Sequence, residues 1–239
     1  MTRHTFIAIL IITACMQLQG QKVELMFTSG MAGYSMRDLK TTNDDLQSQI
    51  PFSTKLTANF PMTFQFGGHF AVQLSNLYKI GVLYTYNSTG SRITSSDYSG
   101  SYYYDNIVTG NTIGILNGFR LYAYKAFRVD LQANIGIVAS ILKITEELNV
   151  ADTTFTSAVH YSAVGMYLEP SMEISYQWKH LKGGIYLGYF LNPMGRIRNE
   201  SGQKSSSTIN WSGLRFGIEI GIRQANRTTG PKAGHETKQ

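Results

Sequence analysis

Apolar and polar side chains alternate along most of this chain, and the pattern is clearest in residues 62–74. Every second residue there is apolar or glycine, and the residues between them are polar or small. The first set is Met62, Phe64, Phe66, Gly68, Phe70, Val72 and Leu74. Successive side chains of a β-strand point to opposite faces, so a period of two predicts a strand with one apolar face. A tilted strand crosses a bilayer in roughly 9–11 residues, and this one is long enough.

The alternation recurs seven more times and predicts eight strands in all. They span about 22–34, 61–75, 79–94, 108–124, 127–147, 158–178, 183–198 and 209–223. Three connections are tight turns, at 76–79, 124–126 and 179–182. The others are longer and polar, at 37–55, 88–106, 149–154 and 199–207. An even strand number with short turns at one end and long loops at the other predicts an all-β fold, an eight-stranded antiparallel up-and-down transmembrane β-barrel.

Residues 1–20 have the features of a signal peptide. Arg3 lies in a short basic start, residues 6–14 are apolar apart from one threonine, and Gly20 precedes a plausible cleavage point. The apolar run is too short for a spanning helix, which needs about 20 residues. The tetrad ending at Cys15 also fits a lipidation motif, so lipid attachment at Cys15 is the alternative to cleavage after Gly20. We therefore predict export to the outer membrane of a Gram-negative bacterium.

The mature chain divides into a barrel domain at 21–223 and a polar tail at 224–239, for which we predict a disordered periplasmic segment. Charged residues make up 15% of the chain, against about 25% in a typical soluble domain. The net charge of +6 comes largely from the last strand and the tail and forms no stripe with aromatic residues. This distribution argues against nucleic-acid binding.

The composition of the polar face indicates which face points outward. A soluble barrel of the lipocalin kind would place lysine and glutamate at many water-facing positions. Here the charges are few and of both signs, three cations and five carboxylates. They are Glu24, Arg120, Arg128, Asp130, Glu169, Glu173, Arg215 and Glu219. An eight-stranded barrel is only wide enough for its own side chains, so we predict that these residues fill the lumen as paired charges rather than forming a pore constriction.

The short turns carry lysine beside aromatic residues, which suits a membrane–water interface. The predicted interface anchors are Tyr78, Lys79, Tyr124, Lys125, Trp178 and Lys179. In the sixth strand Pro170 cannot donate a ladder hydrogen bond, so we expect a bulge or local irregularity there.

The leader, the eight strands and a last strand with Arg215, Gly217, Ile220 and Ile222 resemble small outer-membrane barrels of the OmpX/OmpA-like kind. That last strand is similar to the signal such barrels present to the barrel assembly machinery, although this chain continues for sixteen residues beyond it. Its size and its Tyr- and Gly-rich strands most resemble the PorT-type barrels, some of which are linked to protein secretion. The resemblance implies outer-membrane lipids and the assembly machinery as partners, and an accessory role in secretion as one function.

One constellation suggests chemistry. A hairpin centred between Val150 and Thr156 would place Glu147 opposite His160, on the same face as Ser162. A few outer-membrane lipases use an outward Ser, His and Glu set, so lipid A deacylation is a weak alternative, against the simpler interpretation of a polar collar above the bilayer.

No other enzymatic or metal-binding motif stands out. His69 faces the lumen alone and is interpreted as a hydrogen-bonded interior residue. No cluster of residues has metal-ligand spacing, and we predict neither metal nor cofactor. The tyrosines of one loop, Tyr98, Tyr102, Tyr103 and Tyr104, either extend the strands or form a recognition surface.

The sequence therefore predicts a non-enzymatic outer-membrane barrel with a filled lumen. Its role would be in envelope structure or in contacts between its loops and an extracellular or periplasmic protein. The alternative is an accessory component of protein secretion.

Overall fold

The computed structural model describes residues 22–98, 100–151, 153–192, 195–198 and 204–223. The leader with Cys15 and the tail 224–239 lie outside the described residues. Within that part, the long strands are β1 Lys22–Ala32, β3 Thr63–Gln73, β4 Tyr78–Asp97, β5 Gly100–Tyr124, β6 Phe127–Val150, β7 Thr153–Trp178, β8 Leu181–Phe190 and β11 Gly213–Arg223. Three short strands, β2 Lys55–Asn59, β9 Arg196–Arg198 and β10 Lys204–Thr208, and one helix, α1 Arg37–Gln49, complete it.

The eight long strands pair in a ring. Each pairs antiparallel with the next along the chain from β3 to β8, and β11 lies between β8 and β1, which pairs with β3. The predicted all-β class and the antiparallel pairing are confirmed. The prediction of eight strands omitted the three short ones, which lie outside the ring. β2 pairs with the outer part of β4, and β9 joins β7 at Ser162.

Four neighbouring strands extend far beyond the rest of the ring. β4, β5, β6 and β7 have 20, 25, 24 and 26 residues, whereas β1, β3, β8 and β11 have 10 or 11. Since crossing a bilayer takes roughly 9–11 residues, the outer parts of these four strands form a projecting sheet. The predicted loops at 88–106 and 149–154 are wrong, because both are mostly strand and close in tight hairpins.

The predicted loop at 37–55 contains the helix. α1 has Asp38 in its first turn, where a carboxylate favours the helix dipole. It ends before Ile50, which is extended because a proline follows at position 51 and disfavours helical backbone in the preceding residue. Among the described residues, no helix is long and apolar enough to cross a membrane.

Pro170 disturbs the ladder on one side only. Pairing with β6 continues in register through Ala133 and Pro170. Pairing with β8 stops at Ser171 and resumes as an isolated bridge between Leu168 and Leu191. The expected irregularity therefore appears as an interruption between β7 and β8, without a register shift.

Candidate functional site

The apolar face of the ring points outward and the polar face points inward. Phe64 and Met166 are 74% and 67% exposed, whereas Gln65 and Glu173 on the opposite face are 3% and 0% exposed. The other outward residues of the ring are mostly leucine, isoleucine, valine, phenylalanine and tyrosine. This orientation excludes a soluble barrel whose apolar side chains are turned inward.

The interior near the short turns contains a dense ion-pair network. Lys79 Nζ lies 2.8 Å from Glu173 Oε2, 3.0 Å from Glu24 Oε1 and 3.4 Å from Asp130 Oδ2. Lys182 Nζ lies 2.5 Å from Glu173 Oε1 and 3.3 Å from Glu24 Oε2. Two lysines thus share two buried glutamates, an arrangement in which each charge compensates the burial of its neighbours.

Further polar groups extend this network. Gln132 Nε2 donates to Glu173 Oε2 at 2.6 Å. Arg120 Nε lies 3.3 Å from Asp130 Oδ1, and Arg120 Nη1 donates to the Asn76 carbonyl. Arg223 is buried and donates to Gln73, while Arg128 is half-buried.

A polar layer with a small cavity lies above this network. Arg215 packs on the Phe190 ring, 3.5 Å from its centroid, with Nη1 3.9 Å from Glu169 Oε1. His69, predicted to stand alone, lies 3.6 Å from Glu24 and 3.9 Å from Glu219. The cavity between these groups measures about 40 Å³, which accommodates at most a few water molecules.

The loop end of the interior is apolar, which the sequence pattern did not predict. Trp211 is fully buried there and packs edge-on against Tyr34 at 5.0 Å. We call this set the apolar plug: Ala32, Tyr34, Met36, Leu39, Phe60, Val108, Val138, Leu142, Ala163, Tyr167, Phe190, Ile197, Ile209 and Trp211. It lies between the charged interior and the loop end.

Helix α1 covers the plug through a few specific contacts. Its Leu39 is buried in the plug, and its buried Asn43 donates to Ser91 Oγ at 2.8 Å and accepts from Asn106 at 2.7 Å. Asp38 Oδ2 accepts from the backbone and the hydroxyl of Thr208. The connection at 37–55, predicted to be a long polar loop, therefore packs over the loop end of the ring.

Three interior cations were missed by the sequence analysis. Lys79 is 4% exposed and faces inward, so its assignment as an interface anchor is wrong; Lys182 and Arg223 are also buried. Strand parity identifies all three, because Lys79 alternates with outward Ile80, Lys182 with Leu181 and Arg223 with Ile222. With these three, the predicted interior set contains six cations rather than three, against the same five carboxylates.

The other predicted anchors lie near the short turns. Tyr124, Lys125, Trp178 and Lys179 are exposed, and Tyr78 is half-buried, with its hydroxyl donating to Asn117. Lys125 and Lys179 adopt positive φ values of 52° and 53° in tight turns. Their role at a membrane interface stays a prediction.

The Glu147, His160 and Ser162 constellation is not assembled. Glu147 pairs with Thr156, whereas His160 pairs with Lys143 and Ser162 with Ile141. The hairpin turns two residues earlier than expected, with Val150 opposite Thr153, which moves Glu147 four residues from the predicted register. This register removes the geometric basis of the deacylase alternative. Within the described residues, no group of three acidic, histidine or cysteine side chains could hold a metal.

The projecting sheet has two different edges. On one side the short β2 covers β4, with a register shift between Leu56 and Ala58 and a lysine at its start. On the other side residues 153–161 of β7 pair only with β6, as far as the chain is described. Residues 153–160 are all exposed, and the segment carries no charged residue apart from His160.

The inner face of the projecting sheet continues the apolar plug towards the tip. Val159 and Phe155 are exposed on this face, opposite Ile144 and Leu148. Tyr102, paired with Leu148, is buried against Phe52, and burial together with the neighbouring Glu146 carboxylate raises its pKa. Of the loop tyrosines only Tyr98 is fully exposed; Tyr103 and Tyr104 are half-buried in β5.

Comparison with known proteins finds similarity of structure only. No protein-family model and no curated protein matches the sequence. Ail, the attachment invasion locus protein of Yersinia pestis, solved with the heparin analogue sucrose octasulfate, is 10% identical, with a TM-score of 0.43, over 85% of this chain and 98% of Ail. OprG from Pseudomonas aeruginosa is 11% identical, with a TM-score of 0.42, over 86% and 96% of the two chains.

A major outer membrane protein from Thermus thermophilus is 12% identical, with a TM-score of 0.41, over 84% and 98% of the two chains. The outer membrane protease OmpT from Escherichia coli is 10% identical, with a TM-score of 0.33, over 85% and 94%. Similarity at this level assigns no function, so the function has to be inferred from the chain's own residues.

Proposed function

We propose that this chain is a non-enzymatic barrel of the bacterial outer membrane, closed by its eight-strand ring, filled by its own side chains, and binding a partner protein through the projecting sheet. The apolar outer face supports the membrane location, because side chains such as Phe64 and Met166 would otherwise be exposed to water. The barrel would hold the projecting sheet outside the bilayer.

The edge of β7 at residues 153–160, which has no second partner strand among the described residues, is the observation that carries the interaction. Leu168 exchanges both backbone hydrogen bonds with Leu191, so even-numbered residues of β7 direct their N–H and C=O groups away from β6. By this alternation, the backbone groups beyond Ser162 that have no second partner strand among the described residues belong to Thr154, Thr156, Ala158 and His160. Proteins usually blunt such edges with charge, proline or a bulge, as the opposite edge does through β2. An uncharged free edge instead favours addition of a strand.

The partner that fits this edge is an extended segment with apolar residues at alternate positions. Its backbone would complete the ladder, and its apolar side chains would cover Phe155 and Val159 on the inner face. A second copy fits less well. In two copies related by a two-fold axis along the membrane normal, the β7 edges would run parallel with identical residues at the same height. N–H groups would then face N–H groups and carbonyls would face carbonyls, so the edges would not form a ladder.

Substitution of Ala158 by proline tests the edge. Proline removes an N–H that faces outward and adds steric bulk there, but leaves the bonds to β6 intact. An uncharged nine-residue peptide of alternating valine and threonine should bind the wild type and Ala158→Ser, and should lose at least tenfold in affinity for Ala158→Pro. Fluorescence anisotropy measures the binding. Equal affinity for all three proteins would contradict strand addition, as would slow amide exchange at Thr156 and Ala158 in the free protein.

The filled interior has its own test. In planar bilayers we expect no steady ion conductance, because the ion-pair network and the apolar plug fill the interior around a cavity of about 40 Å³. Large, stable openings of the wild-type protein would contradict a filled barrel.

An accessory role in protein secretion, as in some PorT-type barrels, draws on the same edge, since an exported chain is itself extended. A deletion strain separates the two roles. Loss of secreted cargo would favour secretion, whereas altered adhesion or envelope integrity with normal secretion would favour a structural or adhesive role.

A further inference from the structure

A cluster of basic side chains lies on the outer face of the ring, where the apolar surface ends at the base of the projecting sheet. Lys143 pairs across strands with His160, and Arg198 pairs with Ser162, two residues further along β7. Arg196 lies two residues from Arg198 on the same face of β9. All four basic side chains are exposed. Directly opposed residues in antiparallel strands lie about 4.5–5.5 Å apart, so this basic collar extends across three neighbouring strands, β6, β7 and β9.

The basic collar differs from the other charges of the molecule. Every interior lysine has carboxylate partners within 4 Å, and the exposed Arg92 is paired with Asp105 at 2.6 Å. Within the described part of the chain, no carboxylate forms an ion pair with Lys143, Arg196 or Arg198. Among the described residues, therefore, no carboxylate competes with an external anion for these cations.

The surface directly below the collar identifies the kind of anion. Val164 and Met166 follow Ser162 on the same outward face of β7 and are 62% and 67% exposed. Ile141 of β6 lies opposite Ser162, level with Arg198, and is 51% exposed. A ligand that satisfies both regions has an anionic head at the level of the arginines and apolar chains below it. A soluble anion would use the collar alone and leave the adjoining apolar surface uncovered.

We propose that the basic collar binds the phosphate groups of an outer-leaflet glycolipid whose acyl chains lie along Val164, Met166 and Ile141. The site rests on the proposed membrane location but is independent of the β7 edge. It occupies the region where sequence analysis suggested lipid A hydrolysis, and it assigns binding rather than cleavage there. Such a bound lipid would also fix the height at which the projecting sheet leaves the membrane.

The test compares two variants with the same loss of charge. Lys143→Gln/Arg196→Gln/Arg198→Gln removes the collar, whereas Arg37→Gln/Lys55→Gln/Arg92→Gln removes three exposed cations elsewhere. Binding of a phosphorylated glycolipid and of its dephosphorylated form to the full chain in neutral detergent is measured by native mass spectrometry. Each cation near an anionic lipid surface contributes roughly fivefold, so the collar variant should lose about 100-fold in affinity for the phosphorylated lipid, and the control variant should match the wild type.

Three results would overturn the site: equal lipid binding by both variants, equal binding of the dephosphorylated lipid, or displacement of the lipid by an equal concentration of inorganic phosphate. The last would identify a free-phosphate site instead. Insertion is measured separately, by β-sheet circular dichroism and trypsin protection in vesicles. Failure to insert would overturn the membrane location together with the site, whereas an inserted protein that binds no phosphorylated lipid would overturn the site alone.

Discussion

Replacing Glu173 with alanine should lower the free energy of unfolding by about 3–5 kcal/mol, the usual cost of removing one partner from a buried ion pair. Glu173 is fully buried. Its carboxylate lies 2.8 Å from Lys79 Nζ and 2.5 Å from Lys182 Nζ, and it accepts a hydrogen bond from Gln132 Nε2 at 2.6 Å. Without it, two lysines retain only the carboxylates of Glu24 and Asp130. Urea unfolding in lipid vesicles, followed by tryptophan fluorescence, measures the effect.

Asp105→Asn is the matched control, because it also breaks an ion pair but an exposed one. Its Arg92 partner is half exposed, and pairs of this kind contribute roughly 0–1 kcal/mol. A second comparison separates the network from simple loss of packing. Lys79→Gln/Glu173→Gln should cost less than the sum of the two single changes, since Lys182 and Glu24 remain as a pair at 3.3 Å. Additive costs would show that the charges do not act as a network.

Strand parity was sufficient to predict which residues of the ring face inward and which face outward. Glu24, Glu173 and Arg215 are buried as the alternation requires. Lys79 was misplaced for an identifiable reason: its position beside a turn was given more weight than its parity. Near a short turn the two criteria conflict, and the inward geometry prevails because a strand residue can point only to one face or the other.

The loop end could not be predicted in the same way. The apolar plug combines residues from β1, β5, β6, β7, β8 and β9, the helical segment, the turn between β2 and β3 and the stretch before β11. Their proximity follows from how the connections fold back over the ring, which no local period encodes. The length of β4 to β7 was missed because, beyond the membrane, the outer face becomes polar and the inner face mixes apolar with polar residues, so the alternation fades although the strands continue.

The position of the free edge was likewise hidden from the sequence. Residues 153–161 are as β-branched and uncharged as a paired strand would be. Only the observed pairing shows that β8 ends at Phe190, while β7 begins at Thr153, far beyond it. Edge strands and interior strands share the same alternation of side chains. Whether part of a strand lies at an edge therefore depends on where the neighbouring strand ends.

Replacing Trp211 with alanine should lower the free energy of unfolding by about 3–5 kcal/mol, because truncation of a buried tryptophan leaves a large cavity. Trp211 is fully buried, and its indole N–H donates to Ser140 Oγ at 2.8 Å. The ring also packs over Gly110, where an added Cβ would lie 2.7 Å from Trp211 Cζ2. Gly110→Ala should therefore also lower the free energy of unfolding, typically by about 1–3 kcal/mol, because the added methyl group displaces the indole ring.

The chain offers its own control and reporter for this prediction. It has two tryptophans, and Trp178 is 67% exposed on the outer face near a short turn. Trp178→Ala should change stability much less than Trp211→Ala. In a Trp178→Phe background the fluorescence comes from Trp211 alone, so a blue-shifted emission that resists aqueous quenchers is expected of the folded protein. Ready quenching of Trp211 fluorescence by aqueous quenchers would show that water enters the apolar plug and would contradict the buried position of Trp211.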